Sequence, residues 1–162
     1  MKRNILSYIN KIQAYKTAIK NLHWDSKKMS EHKLWDDFDE EIDEYQDKIA
    51  EIAQGIYGHI KLNELKPRRY NIVNSKKTLN DILKDTKLFY STIKRNNELI
   101  GLKSHVENFI ATLNNYTYLM DFCLKEDIKR NLKNNINENK KQIIFTKKII
   151  QETINNMKNM LK

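Results

Sequence analysis

One face of a predicted helix carries an imidazole and three carboxylates, from His32, Asp36, Asp47 and Glu51. At about 100° per residue these positions fall within an arc of roughly 100° and are stacked over about five turns. Nitrogen and carboxylate ligands without a thiolate suit iron, manganese or zinc better than copper(I) or an iron–sulfur cluster. The spacing therefore predicts a face that binds a metal ion, is simply solvated, or lies in an interface.

A second imidazole, His23, lies on the preceding predicted helix within the arc of its apolar residues. An imidazole in that position requires a polar partner. Taken alone, His23 is more typical of a core histidine bonded to a carbonyl or carboxylate than of a metal ligand. His59 and His105 have no partners at useful spacing, and we assign them no role.

Two helices must position these residues, because apolar residues recur at steps of three and four along residues 4–26 and again to about Tyr57. Ser30 is the predicted cap of the second helix, and Gly55 and Gly58 lie near its end. In the first helix the apolar set is Ile5, Tyr8, Ile9, Ile12, Tyr15, Ile19 and Leu22. In the second it is Leu34, Phe38, Ile42, Tyr45, Ile49, Ile52 and Ile56.

The sequence pattern after residue 58 predicts a long crossover and two further helices. Residues 59–77 contain Pro67 and the basic sequence PRRY and have no sustained period, and a short helix, TLNDILKDTKLFY, follows within the crossover. A third long helix starts after Gly101 and ends near Lys125, and Asp127 can cap a fourth. The apolar residues of the fourth are Ile128, Leu132, Ile136, Ile143, Ile144, Ile150, Ile154, Met157 and Leu161.

This pattern predicts an all-α fold over a single domain, residues 1–162. Three glycines and one proline leave little material for hairpins or the tight loops of an α/β sheet. Four long helices with one long crossover that holds a short helix form a ferritin-like four-helix bundle. The lone Cys123 cannot form an internal disulfide, and no apolar stretch has the length of a signal peptide or a membrane span. We therefore expect a soluble cytoplasmic protein without membrane contact.

The charge is divided unevenly along the chain. The formal net charge is +9, but residues 31–51 hold ten acids against two lysines. A basic balance is typical of proteins with anionic partners. The PRRY cluster and the lysines of the fourth helix predict either non-specific contact with DNA or a solvated basic face.

The residues LHW at 22–24, followed by the spacing H-x3-D-x10-D-x3-E from His32 to Glu51, resemble the ferroxidase signature of the Dps mini-ferritins. The ending DKIAE is similar to that family's DxxAE stretch, and TLNDIL is similar to its short intermediate helix. The resemblance implies iron bound by His23, His32 and Asp36 of one subunit and by Asp47 and Glu51 of a two-fold related subunit.

The same resemblance implies a function. Fe(II) would be oxidised by peroxide or dioxygen and stored as ferric product in a twelve-subunit shell, for protection against oxidative stress. Trp24, beside His23, would quench stray oxidising equivalents. The alternative is a non-enzymatic ferritin-fold component of a larger assembly, such as a phage particle or a ring, located in a virion. The basic charge and the lysine- and asparagine-rich exterior favour that alternative.

Overall fold

The computed structural model describes residues 1–66 and 69–160, without the side chains of residues 62, 126, 127, 151 and 153–160. The described chain is helical and contains no strand, which confirms the all-α class. Its long helices are α1 (Lys2–Asp25), α2 (Met29–Tyr57), α3 (Ser75–Ile93) and α4 (Ile100–Met160), with short 3-10 helices at Leu62–Glu64 and Asn97–Leu99. In the described part of the chain, no helix combines the length and apolarity needed to cross a bilayer.

Helices α1 and α2 are joined by three residues and run antiparallel. Each step back along α1 is matched by an equal step forward along α2: Lys20 pairs with Asp39 at 2.8 Å, and Gln46 donates to Gln13 at 3.0 Å. Lys16 and Asp43 form a further ion pair between them. This ladder fixes the register of the two helices that carry the candidate ligands.

The start of α2 differs from the predicted start, whereas its end agrees with the predicted end. The helix begins at Met29 with Lys28 as its extended cap residue, so the prediction of Ser30 as the cap is wrong. Helical backbone already begins at Met29, so Ser30 lies inside the first turn. At the other end Gly58 has φ 78°, the left-handed conformation that glycine tolerates, and its N–H donates to the carbonyl of Gln54.

Helix α3 covers the segment TLNDILKDTKLFY, which was predicted to be a short helix, and extends beyond it at both ends. The Oδ1 atom of Asn74 accepts from the N–H of Lys77 at 2.8 Å and caps the helix. Asp85 on α3 accepts from Lys11 at 2.8 Å and from Tyr15 at 2.9 Å, both on α1. Its buried apolar residues, Leu79, Ile82, Phe89 and Ile93, make it a core helix.

The prediction of a break between the third and fourth long helices is wrong, because α4 continues from Ile100 to Met160. No glycine or proline follows Gly101, so nothing in the sequence interrupts the helical hydrogen bonds. The side chain of Asp127, the predicted cap, lies outside the described residues.

The described residues divide into two compact units, Met1–Cys123 and Leu124–Lys162. The first has a core formed by α1, α2, α3 and the first part of α4, in which Phe38, Ile42 and Phe109 are buried. The second, as far as described, is one helix whose apolar residues are exposed, among them Ile128, Ile136 and Ile143. The side chains of Ile154 and Met157, and all of Pro67, Arg68 and Leu161, lie outside the described residues. The single domain over residues 1–162 stays a prediction.

Candidate metal centre

The turn between α1 and α2 brings three of the five predicted ligands together. His23 lies in the last turn of α1, and His32 and Asp36 lie in the first two turns of α2. The N–H of Ser26 donates to the carbonyl of His23 at 3.3 Å, and the Ser26 hydroxyl donates to the carbonyl of Leu22 at 2.7 Å. These bonds close the end of α1 and turn the chain back toward His23.

The two imidazoles face each other through their Nε2 atoms, which are 2.9 Å apart. Their ring planes are nearly perpendicular, at 88°, with centroids 4.0 Å apart. The Nδ1 atom of His32 lies 3.1 Å from the backbone carbonyl of His23. Because a carbonyl only accepts, Nδ1 of His32 carries a proton, and Nε2 of a neutral His32 presents its lone pair to His23.

The opposite side of the His23 ring faces a carboxylate. Its Nδ1 lies 3.4 Å from Oδ1 of Asp36, within ion-pair distance, but it makes no hydrogen bond within the described chain. If Nε2 of His23 donates its proton to His32, a neutral His23 turns a bare Nδ1 lone pair toward Asp36. Two acceptors then face each other, which is unfavourable in a site where only 12% of the His23 side chain is exposed.

A second proton on Nδ1 of His23 removes this conflict, and so does a metal ion between the two Nε2 atoms. His23 would then carry its proton on Nδ1, directed toward Asp36, and His32 would keep its Nδ1 proton on the His23 carbonyl. Histidine ligands commonly donate their second N–H to a carboxylate or a carbonyl in this way. The Nε2 separation fits octahedral coordination, since two nitrogen ligands about 2.1 Å from one ion and at right angles are about 3.0 Å apart, whereas tetrahedral coordination places them about 3.4 Å apart.

The geometry gives Asp36 a different place from the one that the resemblance implies. Its carboxylate lies beside Nδ1 of His23, whereas His32 faces Nε2, so Asp36 orients the His23 ring from the side away from His32. Within the described residues no group of three or more His, Cys, Asp or Glu side chains is arranged to hold a metal ion. One copy of the chain thus offers two converging nitrogen ligands.

Asp47 and Glu51 lie away from the histidines in the same copy. Eleven residues separate Asp47 from Asp36, which is about 16 Å along the helix axis. Asp47 is exposed and lines a cavity of about 370 Å³ between α1, α2 and the segment after α2. Glu51 is exposed and pairs with Lys48 at 3.2 Å. Both carboxylates are open to a second molecule.

Five further acidic residues of α2 form two groups. Asp39 and Asp43 pair with lysines of α1. Asp37, Glu41 and Glu44 line a groove with Tyr116 of α4 and form no ion pair with a described lysine or arginine. Burial, and after it the negative charge of Glu41 and its neighbours, raises the pKa of the Tyr116 hydroxyl to about 12. The second group leaves a band of uncompensated negative charge.

Two large apolar side chains close to the histidines in the sequence are exposed. The Trp24 side chain, next to His23, is 70% exposed, and Met29 at the start of α2 is 80% exposed. Large apolar side chains grouped on a surface are typical of an interface. The histidine pair therefore borders a surface suited to contact with another molecule.

A family model matches residues 23–120, which is more than half of the chain, and its description is a family of unknown function (DUF5856). The chain belongs to this family. The stretch matched by the DUF5856 model begins at His23 and includes all five predicted ligands, α2, α3 and the first part of α4. No curated protein and no solved structure matches the chain.

Sequence reasoning missed His105, which stacks on Tyr45 with ring centroids 5.1 Å apart. It is half-buried, and its Nε2 has no hydrogen-bond partner among the described residues. Burial, reinforced by the charge of Lys48, lowers the pKa of His105 against an opposing contribution from the Tyr45 backbone. Its position one turn before Phe109 on the apolar side of α4 was the available signal.

Replacing His105 with phenylalanine is expected to make the protein less sensitive to acid. The folded-state pKa lies below the usual 6.5, so the unfolded chain binds more protons and stability falls as the pH drops through 6.5. Phenylalanine keeps an aromatic ring against Tyr45 without titrating. Urea unfolding at about pH 7.5 and about pH 5.5 measures the difference, with exposed His59→Phe as the matched control. Equal acid sensitivity of His105→Phe and wild type would contradict this account.

Proposed function

We propose that the protein is a Dps-like, ferritin-like iron-binding protein that oxidises Fe(II) with peroxide or dioxygen at a site between two copies and sequesters the ferric product. The observation that carries the proposal is the His23–His32 pair, with Nε2 atoms 2.9 Å apart and Nδ1 of His32 bonded to a backbone carbonyl. That arrangement presents two nitrogen lone pairs to one ion once a metal replaces the shared proton. The ferritin-like arrangement belongs to the proposal and is supported by the antiparallel α1–α2 pair and the helix α3 between α2 and α4.

The second copy would supply carboxylates. Asp47 and Glu51 are exposed on the α2 face that also carries His32, so a partner related by a two-fold axis can place them opposite the histidines. Two such acidic faces repel each other without a counterion. A divalent cation between them removes the repulsion, so we expect metal binding and α2–α2 association to support each other.

The chemistry is a one-electron oxidation of each iron substrate. Two Fe(II) ions and two protons reduce one hydrogen peroxide to two waters, leaving two Fe(III) ions. Histidine nitrogen and carboxylate oxygen bind both oxidation states, and the carboxylates offset the charge that the ion gains. The exposed indole of Trp24, adjacent to His23, is placed to donate an electron to an oxidant that escapes the site. The Dps-like proposal also includes assembly into a twelve-copy shell, a cytoplasmic location and non-specific DNA contact.

Iron oxidation tests the proposal directly. Anaerobic Fe(II) is mixed with peroxide, and the formation of Fe(III) is followed for the wild type and for a His32→Ala, Asp47→Ala double variant. We expect the protein-dependent rate of the double variant to fall by about 10–100-fold or more, because it loses one ligand from each side of the site. The rate in buffer without protein is subtracted.

The matched control removes the same types of side chain elsewhere. His59→Ala, Glu98→Ala takes away one exposed histidine and one exposed carboxylate outside the ligand set and should oxidise iron at the wild-type rate. If the His32→Ala, Asp47→Ala variant also keeps that rate, the ferroxidase function is excluded.

A second candidate function is structural, as a non-enzymatic component of a ring or a virion. The exposed apolar residues of the helix from residue 124 favour it, because such a surface fits a larger assembly. Particle mass separates the two functions: a closed shell of twelve copies supports the mini-ferritin, and a different ring supports the structural component.

A further inference from the structure

An outer acidic row lies on α2 outside the predicted ligand set. It consists of Asp37, Glu41 and Glu44, which fall within an arc of about 60° at 100° per residue. All three are exposed, and none forms an ion pair with a described residue. Together with Glu40 they line the groove whose other wall is Tyr116, and Leu119, one turn beyond Tyr116 on α4, is 39% exposed. The groove therefore carries uncompensated negative charge, and Leu119 adds an exposed apolar side chain one turn away.

The helix from residue 124 carries the complementary features. Residues 124–162 hold ten lysines and arginines against four acids. Ile136, Ile143 and Ile150 recur every seven residues and are 52%, 56% and 53% exposed. A lysine row, Lys133, Lys140 and Lys147, recurs with the same spacing three residues before each isoleucine, and all three lysines are exposed. This helix thus presents an apolar stripe with positive charge along one flank.

The two rows match in spacing as well as in sign. Asp37 and Glu44 are seven residues apart, as are successive members of the lysine row, and seven residues span about 10.5 Å of helix. Two helices lying side by side can therefore bring successive charges of opposite sign together. The isoleucine stripe then faces Tyr116 and the neighbouring Leu119.

We propose that the basic helix, residues 124–160, of one copy lies along the outer acidic row of a second copy. This contact goes beyond the proposed iron site, because it uses none of the five predicted ligands. Pairing of two basic helices would instead bring two lysine rows together, which like-charge repulsion opposes. The donor and acceptor surfaces differ, so the contact is heterologous and repeats from copy to copy around a closed assembly or along a filament.

Charge reversal in the full chain tests the contact in the presence of a metal chelator, which removes association through the iron site. Sedimentation velocity at low salt should show the wild type associated. Lys133→Glu, Lys140→Glu, Lys147→Glu and, separately, Asp37→Lys, Glu41→Lys, Glu44→Lys should each weaken association about tenfold or more. An equimolar mixture of the two variants should restore association, because the reversed rows again have opposite signs. High salt should weaken both associations.

The matched control is Arg130→Glu, Lys141→Glu, Lys148→Glu, which makes the same charge change on the flank away from the isoleucine stripe. It should associate as the wild type does. A monomeric wild type, a lysine-row variant that behaves like this control, or a mixture that stays dissociated would each overturn the proposal. The iron site is judged separately by Fe(II) oxidation, so failure of one proposal leaves the other distinguishable.

Discussion

Replacing Phe38 with alanine is expected to lower the free energy of unfolding by about 3–5 kcal/mol. The Phe38 ring is fully buried in the centre of α2. Its centroid lies 4.6 Å from that of Tyr116 and 6.3 Å from that of Phe109, both on α4, and 6.1 Å from that of Trp35. The substitution removes these contacts and leaves a cavity that α2 and α4 can close only by moving closer together. Urea unfolding followed by circular dichroism measures the loss.

The control for Phe38 is a phenylalanine of the same chain that is not buried. Phe145 is 65% exposed, and Phe145→Ala should change stability by no more than about 0.5 kcal/mol. A Phe38→Ala variant as stable as Phe145→Ala would show that α2 and α4 are not held together by this aromatic cluster.

Replacing His32 with alanine is expected to weaken metal binding by about 100-fold or more. The substitution removes one of the two converging Nε2 ligands and the hydrogen bond from Nδ1 to the His23 carbonyl. Competition between the protein and a coloured chelator for Zn(II) measures affinity without an oxidation step. The exposed His59→Ala is the matched control and should bind as the wild type does.

Replacing Asp36 with asparagine should weaken metal binding less than His32→Ala does. Because its carboxylate faces Nδ1 of His23, Asp36→Asn should leave both Nε2 ligands in place and reduce affinity by about 10–100-fold through weaker orientation of the ring. A loss as large as that of His32→Ala would instead make Asp36 a direct ligand. Unchanged affinity in both variants would place any metal elsewhere in the protein.

The sequence predicted the helices well where apolar periodicity and glycine placement agreed. Apolar residues that recur every three or four positions located α1 and α2. Gly58 ends α2, because glycine can adopt the positive φ found there. The predicted break near Lys125 rested on Asp127 as a cap. A residue able to cap a helix does not interrupt one that has no glycine or proline nearby, so α4 continues.

The sequence predicted only part of the candidate site. Helical periodicity places His32 and Asp36 on one face of α2, but the contact between His32 and His23 depends on the three-residue turn and on the α1–α2 register. Spacing also cannot reveal which ring nitrogen of His23 faces the carboxylate. His105 was missed because its position one turn before Phe109 is a weak signal until Tyr45 of another helix lies against it.

The most direct test of the proposed metal centre is an anomalous diffraction map at the iron absorption edge from the complete assembly supplied with Fe(II). The account predicts an iron peak within bonding distance, about 2.1 Å, of the Nε2 atoms of both His23 and His32, with Asp47 and Glu51 of a second copy on its far side. Nε2 atoms that keep their direct 2.9 Å hydrogen bond, with no iron peak beside them, would contradict it.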